Sequence, residues 1–190
     1  MIQNLWSTPL LVSQMEDTYR EEFVNHILLN YDLNKPPSDF GRKNILDDDS
    51  EAVANFKQNV ILPAFNDFLI DTTDRDISMW SGYKMHGWMT GTGQDYSINY
   101  HNHRGAQISA VFYILCEEQN AGGEISFTDP RQNSNRGYDQ SFEHWFKHLT
   151  MVPKSGDLVV FPSFLYHFVS TYHGNIRLAI PVDLFLYANN

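Results

Sequence analysis

Two histidines two positions apart, His101 and His103, open the stretch in which this chain concentrates its chemistry. A third, His167, follows a Phe161-Pro162-Ser163 segment, and Arg177 stands ten residues beyond it. Neutral imidazoles bind divalent transition metals, and three protein ligands on one side of an ion leave positions open for other molecules. On a strand, side chains i and i+2 share a face about 6.6 Å apart, so His101 and His103 reach one ion while Asn102 points away. Arg177 sits in an otherwise apolar segment, IRLAIPV, where a charge has to be paired or open onto a functional mouth. Its planar fork suits a carboxylate held at two points. The combination reads as a non-haem Fe(II) site with an anion-binding arginine beside it. The plainer alternatives are a chance His-x-His pair among eight histidines and an edge-strand arginine reaching solvent.

The remaining reactive residues carry less. Tyr113, in Val-Phe-Tyr-Ile, is a strand aromatic whose default role is packing and whose hydroxyl can also bond an anion. His26, His86, His144, His148 and His173 lack comparable framing and read as structural or surface residues. The single cysteine, Cys116, ends an apolar run and reads as a buried, inert thiol. Asp47-Asp48-Asp49-Ser50 reads as a helix cap rather than a cation site.

Elements must carry these groups to one place. Residues 2–12 predict a short strand broken by Pro9. Residues 14–31 predict a helix with Tyr19, Phe23, Ile27, Leu28 and Tyr31 on one side. A second helix is expected over 50–70, kinked or split near residue 62 by Pro63. From residue 77 the apolar period shortens from near 3.6 to near 2. Strands are expected at Ile77–Met89, Tyr96–His103, Gln107–Leu115, Glu124–Thr128, His148–Val152, Asp157–Phe161, His167–Thr171 and Ile176–Leu186. About eight short strands after two helices predict a mainly β fold with flanking helices, a rolled double sheet of jelly-roll type. Residues 131–147 read as a loop over its mouth. Tyr138, Phe142, Trp145 and Phe146 on that loop, with Trp80 and Trp88, suit either a substrate pocket or the core.

The whole of 1–190 reads as one domain, with 1–76 supporting a β core over 77–190. Hydrophobic residues make up 42% of the chain, enough for a sizeable core. A net charge of −10 opposes a surface that tracks phosphates, so nucleic acid is not an expected partner. One cysteine excludes an intrachain disulfide and fits a reducing compartment. No signal peptide or membrane span is read, which predicts a cytoplasmic protein, in the host cytoplasm if the source is viral.

The ordered pieces resemble a known family, the 2-oxoglutarate/Fe(II)-dependent dioxygenases. They are Tyr100-His101-Asn102-His103, then Ser109-Ala110-Val111-Phe112-Tyr113, then Gly122-Gly123-Glu124-Ile125-Ser126-Phe127-Thr128-Asp129-Pro130-Arg131. Pro153, Gly156-Asp157-Leu158, Phe161-Pro162-Ser163, His167 and Arg177 follow. The resemblance spans about residues 80–186 and is nearest to small oxygenases of bacteria and phages, more distantly to prolyl hydroxylases. It implies a double-stranded β-helix, cupin-like in outline, holding Fe(II) through His101, His103 and His167. It further implies 2-oxoglutarate on the metal, its distal carboxylate on Arg177 and Tyr113. Decarboxylation with O2 would give succinate and CO2 and hydroxylate a C–H bond of a small-molecule or peptide substrate, a peptidyl or free amino acid among them. A homodimer is compatible with all of this.

One position departs from the family. Its first motif is usually His-x-Asp or His-x-Glu, whereas this chain has His103 at the acidic place. Three neutral imidazoles leave the iron one unit more positive than two imidazoles and a carboxylate. Either His103 ligates, or a carboxylate such as Asp129 or an exogenous ligand completes the shell. Two other functions compete: a three-histidine cupin-type dioxygenase that does not use 2-oxoglutarate, with Arg177 on the substrate, and a catalytically silent binding module.

Overall fold

The structure is a computed structural model and describes residues 7–15, 17–31, 43–93, 95–116, 120–131 and 148–188. Along the chain, β1 (Leu11–Gln14) is followed by α1 (Asp17–Asn30) and a 3-10 turn over Ile45–Asp47. One long helical stretch comes next, with α2 (Glu51–Phe56) passing through a π segment, Lys57–Ile61, into α3 (Leu62–Thr73). The strands are β2 (Gly82–Gly87), β3 (Thr90–Gly93), β4 (Tyr96–His101), β5 (Ile108–Cys116), β6 (Ile125–Phe127), β7 (Leu149–Met151), β8 (Asp157–Pro162), β9 (His167–Tyr172) and β10 (Ile176–Tyr187).

The strands form two antiparallel sheets. The larger runs β1-β8-β5-β10-β2, with β3 also on β10, and the smaller runs β4-β9-β6-β7. They make the rolled double sheet that the strand pattern predicts, in the form of the double-stranded β-helix that the resemblance implies. The helices pack on the outer face of the larger sheet, where Phe23, Phe56, Phe65, Phe112, Ile180 and Val182 share one core. Val111, Tyr113, Ile125, Phe127, Val159, Phe161 and Ala179 form a second core, assembled from both sheets. Strands β5, β8 and β10 therefore send alternate side chains into different cores. This is why they read as unbroken apolar runs. On β10, Leu178, Ile180, Val182 and Leu184 belong to the helix-side core, so the strand's two-residue period puts Arg177, Ala179 and Asp183 on the other side. A register shift between Leu178 and Ala179 leaves Ile114 as the extra residue on β5.

Several elements differ from expectation, each for a local reason. Among the described residues the first strand is Leu11–Gln14, pairing with Asp157–Val160 at the edge of the larger sheet, and α1 starts at Asp17; residues 2–6 of the expected strand lie outside the described residues. Helical backbone continues through Pro63, but the α-helical pattern divides just before it, at the π segment Lys57–Ile61, close to the expected residue 62. Pro63 lies at the start of α3, just past the π segment, where its missing N–H is least costly. The Ser50 hydroxyl caps α2 by accepting from the Val53 amide, while Asp48 Oδ1 accepts from the Ser50 amide. Residues Ile77–Met79 form a 3-10 turn rather than strand. Strand β3, with the sequence TGTG, was not anticipated because it lacks an apolar period. The expected mouth loop, apart from Arg131, lies outside the described residues, and with it Tyr138, Phe142, His144, Trp145 and Phe146. Among the described residues no helix is long and apolar enough to cross a membrane.

Candidate active site

His101 and His167 face each other as register partners where β4 meets β9. His103 lies two residues past the end of β4, in the turn into β5, rather than on the strand itself. Its amide donates to the Ser163 carbonyl at 3.0 Å, which pins the turn against the loop after β8. The three rings approach with centroids 4.3 Å (101 to 167), 5.2 Å (103 to 167) and 5.4 Å (101 to 103) apart. One ligand atom from each lies within 4.8 Å of the others.

The outer nitrogens decide which atoms face inward. His101 Nδ1 sits 2.7 Å from the Asn99 carbonyl oxygen and His167 Nδ1 sits 3.0 Å from the Leu165 carbonyl oxygen. His103 Nδ1 sits 2.6 Å from Asp183 Oδ1. Carbonyl and carboxylate oxygens only accept, so each Nδ1 carries a proton, and each ring in its neutral form keeps its lone pair on Nε2. Acceptors that hold the outer ring nitrogen in this way fix ligand tautomer and orientation at metal centres. Burial, the largest influence, lowers the proton affinity of His101 and takes His167 down to about 3, so both rings are neutral near pH 7. Phe161 packs edge-on against His103 and His167, and Trp88 lies 5.5 Å from the His103 ring. The donor set suits a mid-row divalent metal such as Fe(II), with open positions on one side.

The histidines line a cavity of about 150 Å³ together with Trp88, Thr90, Tyr113, Arg177 and Ala179. Arg177 is 4% exposed, and its guanidinium carbon sits 4.9 Å from the centre of the Tyr113 ring. Tyr113 is wholly buried, and its hydroxyl has no hydrogen-bond partner among the described residues. Burial pushes that hydroxyl up to about 12, so it remains a donor at any physiological pH. A buried orphan donor beside a buried arginine fits a carboxylate ligand, whose oxygens accept from both. The Gly122-Gly123 turn closes in from β6 with φ of +81° and +77°. A Cβ on Gly123 would meet Arg177 Cδ at 3.2 Å, so only glycine lets the backbone lie this close to the arginine.

Other candidates fall away from this cavity. Asp129 is held by Arg131 through its Nε at 2.9 Å and does not join the three-donor cluster. His26 bonds Asp48 beside the α2 cap, and the exposed His173 bonds Asp95. His86 stacks on Trp88. The Cys116 thiol is raised to about 11 by burial, which makes it unreactive. Asp183 is not among the residues that the sequence singles out. Its signal, a charge in the apolar run Pro-Val-Asp-Leu, is the one that singled out Arg177, but its partner lies 80 residues away.

The family profile described as "Putative 2OG-Fe(II) oxygenase" matches residues 86–183, more than half of the chain. The chain belongs to this family. No curated protein sequence matches it. Solved structures with a similar fold include a Pseudomonas putida prolyl-4-hydroxylase, with TM-score 0.58 and 13% identity over 97% of this chain and 90% of that one. HygX from Streptomyces hygroscopicus, solved with nickel and 2-oxoglutarate bound, gives TM-score 0.60 and 13% identity over 94% and 83%. A Trichoplax adhaerens prolyl hydroxylase in complex with a hypoxia-inducible-factor peptide gives TM-score 0.60 and 15% identity over 93% and 83%. Iron and 2-oxoglutarate are the cofactors of this oxygenase family, and the donor set and the Arg177–Tyr113 corner fit both.

Proposed function

We propose that this oxygenase hydroxylates a C–H bond on a peptidyl or free amino-acid substrate, with His101, His103 and His167 holding Fe(II). The observation that carries the reading is the convergence of three Nε2 lone pairs on a cavity that also contains Arg177 and the Tyr113 hydroxyl. Bound iron with 2-oxoglutarate supplies the oxidising chemistry, in which one atom of O2 enters succinate and the other the product, with loss of CO2. Arg177 and Tyr113 bind the distal carboxylate and so fix which end of the co-substrate faces the histidines. Phe161 and Trp88 keep water from the histidine side of the cavity.

The size of the cavity bears on the substrate. Small-molecule pockets usually run to about 300–1,000 Å³, so 150 Å³ accommodates the co-substrate and little else. A target that presents one side chain from outside the mouth, as a peptide does, fits this better than a ligand that must be engulfed. The peptide-bound Trichoplax prolyl hydroxylase is consistent with that choice. The lone, unreactive Cys116 supports a reducing, cytoplasmic setting.

The test is O2-dependent formation of succinate by iron-loaded protein, in wild type and in the His167→Ala and Arg177→Ala variants. Turnover in wild type and its loss in both variants is expected. Iron-loaded wild type that neither binds 2-oxoglutarate nor forms succinate refutes the reading.

A further inference from the structure

Asp183 is 8% exposed on β10, between Val182 and Leu184, both fully buried. Its Oδ1 accepts from His103 Nδ1 at 2.6 Å and from the Ser109 hydroxyl at 2.7 Å. That hydroxyl is spent on Asp183, so Ser163 donates to Ser109 across 2.8 Å. Ser109 and Ser163 are themselves fully buried. Among the described residues the ion-pair partner of Asp183 is His103. A carboxylate in such a place costs folding free energy unless another charge compensates it. The other partner of Asp183 is the Ser109 hydroxyl, and a divalent ion on the far side of the His103 ring would add compensating positive charge.

The charge count at the site makes the same point from the other direction. Three neutral imidazoles leave a divalent metal with both of its positive charges. Asp183 is the carboxylate that a ligating ring connects directly to the metal position. The two serines hold its oxygen in line with His103 Nδ1, so the arrangement fixes both the ring and the charge behind it.

Resting on the reading of these histidines as iron ligands, we propose that Asp183 is a positioning residue. It orients His103 and, through that ring, supplies the negative charge the ligand set lacks. Ser109 and Ser163 form the relay that holds it.

The variant that separates charge from shape is Asp183→Asn, because an amide oxygen still accepts from His103 Nδ1 and from Ser109. Anaerobic Fe(II) titration and the Fe(III)/Fe(II) midpoint potential, both without substrate, give readouts independent of turnover. The expected result is iron affinity about 10- to 100-fold weaker and a midpoint shifted to more positive values. Unchanged affinity and potential overturn the proposal, and weaker affinity without the shift overturns the charge role. A second measurement needs no variant. In wild type loaded with diamagnetic Zn(II), the His103 Nδ1 proton should give an exchange-protected, downfield signal, and a proton on Nε2 instead overturns the assignment. Failure of wild type to bind Fe(II) at all would refute the parent reading rather than this one.

Discussion

Replacing Tyr113 with phenylalanine should move stability and co-substrate affinity in opposite directions. The Tyr113 hydroxyl is buried and meets no hydrogen-bond geometry with any partner among the described residues. An unsatisfied buried polar group costs about 1–3 kcal/mol, so its removal should stabilise the ligand-free protein by ~1 kcal/mol or more. For a chain of this length each kcal/mol moves Tm by about 2–4 °C. The ring itself stays, so packing against the Arg177 guanidinium is retained. With 2-oxoglutarate present the hydroxyl should donate to a carboxylate, and losing a hydrogen bond to a charged group costs about 1.5 kcal/mol at least, or roughly tenfold in Kd. Differential scanning calorimetry of metal-free Tyr113→Phe and calorimetric titration of its iron-loaded form with 2-oxoglutarate measure the two effects. A lower Tm refutes the view that the hydroxyl is an orphan. Wild-type affinity for 2-oxoglutarate refutes its place in the carboxylate clamp.

Three further outcomes follow from the same geometry. Phe56 stacks on Phe23 at 3.8 Å and leans on Phe112 at 5.2 Å, so Phe56→Ala should cost about 3–5 kcal/mol in denaturant unfolding while iron affinity is retained. Gly123→Ala adds a Cβ against Arg177 and Tyr172 at a φ of +77°, and should weaken 2-oxoglutarate binding with Fe(II) binding unchanged in paired titrations. The metal-free protein should lose stability on acidification. His167 has a folded-state pKa of about 3 against 6.5 unfolded, so below pH 6.5 the unfolded chain binds the extra proton. The loss begins as pH drops through 6.5, reaches at most ~1.4 kcal/mol per pH unit from this residue, and ends near pH 3. Urea melts across that range, flat in pH, would contradict it.

Much of the fold was readable because burial leaves a period. Strands β5, β8 and β10 are covered on both faces and appear as apolar runs, and the amphipathic spacing of Phe23 and Ile27 marks α1. Strand β3 and the 3-10 turn at Ile77–Met79 were not readable, since backbone pairing and local capping fix them without an apolar pattern. At the site, the placing of a charge in an apolar strand made Arg177 visible. Asp183 carries the same mark, yet its purpose depends on a ring 80 residues earlier, and no spacing rule joins the two. His103 was placed on the end of a strand, whereas a bond to the Ser163 carbonyl turns it inward from a loop. That long-range bond has no trace in local sequence.

Of the strands in the larger sheet, β10 comes last along the chain, yet it lies between β5 and β2. During synthesis the edge of β5 that will receive it has no occupant until residues 176–187 leave the ribosome, so an apolar edge is open to other chains in the interval. Such an intermediate invites aggregation and gives chaperones a defined segment to shield. Arg177 and Asp183 arrive on that same late strand. The three histidines all precede that strand, so Arg177 and the carboxylate behind His103 are the last parts of the candidate site to be placed.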